Sequence, residues 1–178
     1  MIDTLILARW MHVIGAAVLL GTGSGIAFFM LMAHRTKDAA LIAHVAQTVV
    51  VADVLFTASA VIVQPLTGVR LGGPLGRAPR PPGGPLLGGP FGFLWRFLPL
   101  TTPWILWSVG LYVFIGCFWL PVVRMQMRMR DLARAAAESA VPLPPAYFRL
   151  YRLWFACGIP AFAAMLAIIW LMLERPSL

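Results

Sequence analysis

Four apolar runs divide the chain, at about residues 4–33, 40–65, 103–123 and 149–173. Each is long enough to cross a hydrocarbon layer, which takes about 20 residues of helix. A lone strand in lipid would leave its amides unpaired, so all four runs are predicted to be helices. The first ends in the polar stretch Ala33-His34-Arg35-Thr36-Lys37, which turns directly into the second. Pro65 is expected to close the second helix. Thr102-Pro103 opens the third, with a capping residue followed by proline at the first helical position. Pro160 lies inside the fourth, where a missing backbone donor predicts a kink.

The connection over 66–102 is rich in glycine and proline, as in Pro79-Arg80-Pro81-Pro82-Gly83-Gly84-Pro85. Such a stretch supports no regular helix or strand, and it lacks the Gly-Lys-Ser/Thr ending of a phosphate loop. Its Phe91, Phe93, Trp95 and Phe97, beside Arg96, read as an anchor at headgroup level. The third run passes into Arg124-Met125-Gln126-Met127-Arg128-Met129-Arg130. Met125, Met129 and Leu132 repeat at helical spacing with arginines elsewhere, which predicts a basic amphipathic extension lying on anionic lipid. Methionines two residues apart point to different sides of a helix, which argues against a methionine copper site. The architecture expected is therefore all-α: one domain, a four-transmembrane-helix bundle with a cytoplasmic amphipathic extension of the third helix.

Composition agrees. The chain has 178 residues, of which 61% are hydrophobic and 11% charged, against roughly 45–50% and 25% in soluble domains. The net charge of +8 sits between apolar spans. Positive-inside topology and anionic headgroups account for it more simply than nucleic acid does. Met-Ile-Asp lacks the basic start of a signal peptide, so the first run is read as a retained helix. Basic residues near the membrane are denser on the first and third connections than on the second and the termini. The expected placement is multi-pass in a membrane, with both termini on the outer side. Cys117 and Cys157 form no metal spacing and read as packing residues.

Ionisable groups inside hydrocarbon cost at least ~2.5–3.5 kcal/mol at the centre and are candidates for function. Asp53 falls near the centre of the second helix, and His12 falls about 9 Å from the midpoint of the first. Ala46, Val49, Asp53, Thr57, Ala60 and Gln64 lie within about 40° of one direction at 100° per residue, a stripe predicted to face the bundle interior. His44 points elsewhere, near a membrane edge. His12 shares a face with Gly15, Ala16, Leu19, Gly23 and Met30. Gly21 and Gly25 lie on another face, a candidate homodimer contact. The third helix aligns Trp104, Ser108, Tyr112, Ile115 and Trp119. The fourth aligns Trp154, Gly158, Ala161, Met165 and Met172.

Antiparallel stacking allows a polar core of His12, Asp53, Thr57, Ser108 and Tyr112. Three readings fit it. His12 and Asp53 staple the helices to each other. Alternatively, His12 is an axial metal ligand to haem b, with Met165 or another histidine as the second and Arg9 and Arg35 against the propionates. In the third, Asp53 is the titrating group of a path for a proton, ion or small solute. The site residues remain open among these. The redox-linked haem reading leads, and a non-catalytic transport or scaffold component stands as the alternative.

Several segments together resemble a bacterial family of integral membrane proteins, domain of unknown function 2269. They are Trp10-Met11-His12, Leu20-Gly21-Thr22-Gly23, Ala52-Asp53-Val54-Leu55-Phe56-Thr57, Gln64-Pro65-Leu66-Thr67-Gly68, Trp119-Leu120-Pro121 and Pro160-Ala161-Phe162. The resemblance covers nearly the whole chain except the stretch of about 71–94, where a shorter connection is expected. It implies membership and not an activity. More distantly, a histidine early in the first helix and another at its far end are similar to HemJ-type protoporphyrinogen oxidases and CopD-like copper-resistance membrane domains. That likeness implies a haem-binding membrane histidine, mapped here only onto His12 and His34.

Overall fold

The computed structural model describes residues 3–72 and 103–176. The glycine- and proline-rich connection beyond Gly72, its aromatic run and Thr102 lie outside them. Every described element is helical: α1 (Thr4–Thr36), α2 (Ala39–Ala52), a π-helical turn (Asp53–Thr57), α3 (Ala58–Gly72), α4 (Pro103–Glu138) and α5 (Pro145–Glu174). The π-turn joins α2 and α3 into one continuous rod. Four rods are therefore long and apolar enough to cross a membrane.

Caps set the tight connections. Asp3 accepts from the Leu5 amide at 2.9 Å and starts α1. Lys37 takes a left-handed conformation at φ 58° and ends it, its amide bonded to the His34 carbonyl. Asp38 then accepts from the amides of Ala40 and Leu41 at 2.9 and 3.3 Å and starts α2. Two residues, Lys37 and Asp38, thus reverse the chain. Ala140, at φ 51°, serves the α4–α5 connection, and Pro145 begins α5 at a position where its missing N–H costs nothing.

α1 packs along α2 and α3, α4 packs against α2, and α5 against α4. The hydrophobic core gathers at the end that carries the two tight connections. It comprises Ile26, Met30 and Ala33 of α1, Ile42, Ala46 and Val49 of α2, Met129 and Ala133 of α4, and Tyr147, Tyr151 and Trp154 of α5. Exposed leucines, isoleucines and phenylalanines cover the outside of all four rods, as lipid-facing surfaces require.

Two expectations change. Pro65 does not close the second helix; α3 continues through it to Gly72, with Pro65 exposed. Proline leaves the carbonyl four residues earlier without its donor, and that carbonyl, of Val61, takes the hydroxyl proton of Tyr112 instead. A replacement donor on a neighbouring helix lets the rod run on. The second change concerns the far half of α4. Its apolar stripe is Gln126, Met129, Ala133 and Ala136, all buried, with Met125 and Leu132 partly so. That stripe packs on protein rather than lying on lipid, and the arginines at 124, 128 and 134 point away from it.

Candidate functional site

The stripe along α2 and α3 is the buried face of that rod. Ala46, Val49, Asp53, Ala60 and Gln64 are buried and Thr57 is half-buried. It carries two separate polar sites, not one.

The first site joins α1 to α3. His12 Nδ1 lies 2.8 Å from Thr67 Oγ1. Thr67 places its own hydroxyl within reach of two backbone carbonyls, Val63 at 2.8 Å and Gln64 at 3.1 Å. With the hydroxyl proton given to a carbonyl, Thr67 Oγ1 accepts from His12 Nδ1–H. This tautomer leaves Nε2 with its lone pair. Gln64 donates from Nε2 to the His12 carbonyl at 2.9 Å. Glycines allow the approach: a Cβ on Gly15 would stand 2.9 Å from Gln64 Nε2, and one on Gly68 would stand 3.5 Å from His12 Cε1. A cleft of about 370 Å³ opens beside Thr67, lined by apolar side chains including Leu7, Met11 and Leu66, with Arg70 at its edge.

The second site joins three rods. Asp53 is 4% exposed and opens the π-turn, in which its carbonyl accepts from the Ala58 amide, five residues on. Such turns are frequent at functional sites. Trp119 Nε1 donates to Asp53 Oδ1 at 3.3 Å. Gln126, with its amide turned to satisfy both neighbours, donates to Asp53 Oδ2 at 3.1 Å and accepts from Trp154 Nε1 at 3.2 Å. The direction of donation is therefore Trp154 to Gln126 to Asp53, with Trp119 donating from the other side. A carboxylate suits this position because it only accepts. Thr57, one turn on at the other end of the π-turn, brings its buried hydroxyl toward the Asp53 carboxylate without completing a hydrogen bond.

Eleven to fourteen residues of helix separate the level of His12 from that of Asp53, about 17–21 Å: Gln64 and Thr67 face His12, and Asp53 lies one long stride back along the same rod. Each therefore meets its own partners. Ser108 is buried and donates to its own helix, at the Trp104 carbonyl, 2.8 Å away. Tyr112 goes to Val61. Arg9 is exposed one turn before His12. Arg35 and His34 belong to the opposite end of α1, about 33 Å away along the axis. There His34 stacks on Tyr151, with ring centroids 3.8 Å apart and planes at 5°, and also meets Tyr147 and Phe148. These contacts join α5 to α1. Met165 is half-buried on α5, well beyond them toward the other end. Gly21, Gly23 and Gly25 face open space, so Gly23 does not share the buried side with Gly15.

Trp119 and Trp154, on the stripes that spacing aligned, complete the second site with Gln126, and Thr67 completes the first; Thr67 and Gln126 carry no spacing signal of their own. The pairing of Gln126 with Asp53 depends on the register of two rods distant in sequence. A glutamine between arginines on the apolar side of an amphipathic helix was the available clue.

His, Cys, Asp and Glu form no cluster of three or more able to hold a metal ion among the described residues. No curated protein and no solved structure matches the chain. The family described as predicted integral membrane protein (DUF2269) matches residues 6–77 and 85–176, which take in both polar sites and all four rods. The chain is a member of that family of integral membrane proteins.

Proposed function

We propose that the protein is a redox-linked membrane protein in which His12 is an axial ligand of haem b. The observation that supports this is the hydrogen bond from His12 Nδ1–H to Thr67. Metal-bound histidines commonly hold one ring nitrogen in this way and offer the other. The imidazole would hold the iron through Nε2, and Arg9, exposed one turn before His12 on α1, would pair with a propionate. A bound haem would supply one-electron chemistry. His12 would anchor the iron, Thr67 would set the ring tautomer, and Gln64 would hold the backbone of that turn in place.

The test is the visible spectrum of the protein purified in detergent from cells supplied with haem precursor. The expected result is a Soret band that is absent from His12→Ala at unchanged helix content and weakened in Thr67→Val. A colourless wild-type protein with full helix content would overturn the reading.

Asp53 favours a second reading, a non-catalytic component that moves a small solute or supports partner proteins. A carboxylate at a π-turn within the spans is its motivation. A pH-dependent flux into proteoliposomes, abolished in Asp53→Asn, would support it over the first.

We place the protein in a bacterial inner membrane with both termini periplasmic, on the density of basic residues at the two tight connections. Carboxy-terminal fusions to alkaline phosphatase are then active and those to a fluorescent protein dark. The open face at Gly21 and Gly25 is the candidate contact of a homodimer, tested by disulfide trapping of Gly25→Cys in membranes.

A further inference from the structure

The apolar stretch of α4 ends at Val123, and Arg124 follows; the apolar stretch of α5 begins at Leu153, directly after Arg152. Each stretch is of the length that spans hydrocarbon, so both arginines fall at its boundary. The bond between Gln126 and Trp154 fixes the register of these antiparallel rods. It sets Arg128 level with Arg152 and Arg149 about one turn farther from the hydrocarbon. Arg124 lies one turn from Arg128 on the same side of α4. All four are exposed.

Four like charges on two packed helices repel unless an anion joins them. Among the described residues no acid pairs with any of the four. The acid beside them, Asp131, is held by Arg130, whose Nε and Nη2 both lie 2.8 Å from its Oδ1. That is the one ion pair among the described residues. In the same half of the bundle, nearer the tight connections, α1 and α2 expose Phe28, Phe29, Leu41 and Val51. A basic face backed by an apolar one matches a lipid interface better than a polyanion in water.

We infer that Arg124, Arg128, Arg149 and Arg152 form a binding site for the phosphate of an anionic phospholipid headgroup. The guanidinium groups recognise phosphate, which is shared by phosphatidylglycerol and by cardiolipin, with its two phosphates. Two pairs of arginines on adjacent rods suit one phosphate per pair.

Native mass spectrometry of the full chain, titrated with phosphatidylglycerol, cardiolipin or phosphatidylcholine, tests the inference. Both anionic lipids are expected to bind more tightly than phosphatidylcholine, and replacing an arginine by glutamine should weaken them about fivefold per residue. Arg128→Lys with Arg152→Lys keeps the charge and most of the binding, which separates a lost site from a lost fold. Arg175→Gln, at the other end of the bundle, leaves binding unchanged. Cardiolipin exceeding phosphatidylglycerol in Arg124/Arg128/Arg149/Arg152 protein, with the excess lost when either pair is replaced, supports one phosphate per pair. Equal retention of anionic and zwitterionic lipid, or an equal loss in the Arg175→Gln control, overturns the site.

Discussion

Tyr112 donates its hydroxyl proton to the carbonyl of Val61, the carbonyl that Pro65 leaves without its helical partner. The bond ties α4 to α3 and repairs α3 at once. A buried acceptor stripped of its donor costs about 1–3 kcal/mol. Tyr112→Phe is therefore expected to destabilise the bundle by about that amount, read as a lower midpoint of thermal unfolding in detergent. Pro65→Ala restores the backbone donor, so the cost of Tyr112→Phe should shrink in that background. A double-mutant cycle measures the difference. Equal costs with and without Pro65 would show that the bond does not serve the repair.

The directional chain through Asp53 gives a sharper test. Asp53→Asn turns one acceptor into a donor. That donor then faces either Trp119 or the Gln126 amide, and turning Gln126 around only moves the clash to Trp154. One donor–donor contact results in every arrangement, at a cost of about 1–3 kcal/mol. Adding Gln126→Glu removes it. Asn donates to the new carboxylate, which also accepts from Trp154, while Asn Oδ1 accepts from Trp119. The double variant is expected to recover most of the lost stability. Were Asp53 the titrating group of a transport path, stability would return without flux, because the charge has moved to another rod.

Much of this fold was open to reading in the residues, and the boundary of what was readable has physical causes. Periodicity alone identified the buried stripe from Ala46 to Gln64, because a helix repeats its faces regularly. It placed Asp53 inward correctly, and the length of the apolar runs found the four spans. It did not find the π-turn, whose extra residue leaves no mark in composition. Pro65 misled because its local effect is to stop a helix, and the compensating hydroxyl of Tyr112 lies 51 residues from the Val61 carbonyl it serves. His12 and Asp53 looked close because both are polar and both face inward. The tight reversal at Lys37 and Asp38 sets the register of α1 on the second rod, and that register leaves Asp53 several turns short of His12.

The close approach at Gly15 separates the glycines of α1 by role. A methyl at Gly15 meets Gln64 Nε2 at 2.9 Å and must displace it, which breaks the bond to the His12 carbonyl. Gly15→Ala is expected to lower stability by about 1–2 kcal/mol. In a Gln64→Ala background the same change should be nearly neutral. Gly23 has nothing within 4 Å, so Gly23→Ala should be neutral or should stabilise by up to about 1 kcal/mol through helix propensity. Thermal melts of the four variants decide. Similar losses at Gly15 and Gly23 would mean that both glycines serve close contacts.

The core gathered at the connection end predicts an uneven bundle. Ile42 and Met129 are both 0% exposed, whereas Ile159 and Trp170 are 62% and 57% exposed. Truncating a buried aliphatic side chain costs about 2–5 kcal/mol, through lost contacts and the cavity left behind. Truncating a lipid-facing one in a bilayer removes contacts that lipid tails replace. Ile42→Ala and Met129→Ala are thus expected to be strongly destabilising, and Ile159→Ala and Trp170→Ala mild. Amide hydrogen exchange in nanodiscs gives an independent check, since regions with dense buried contacts open least often. Protection should be highest over the facing segments of α2 and α4 around Ile42 and Met129. In Met129→Ala it should fall there first, leaving the lipid-facing halves of α4 and α5 unchanged. Uniform loss along all four rods would instead show that the bundle opens as a single unit.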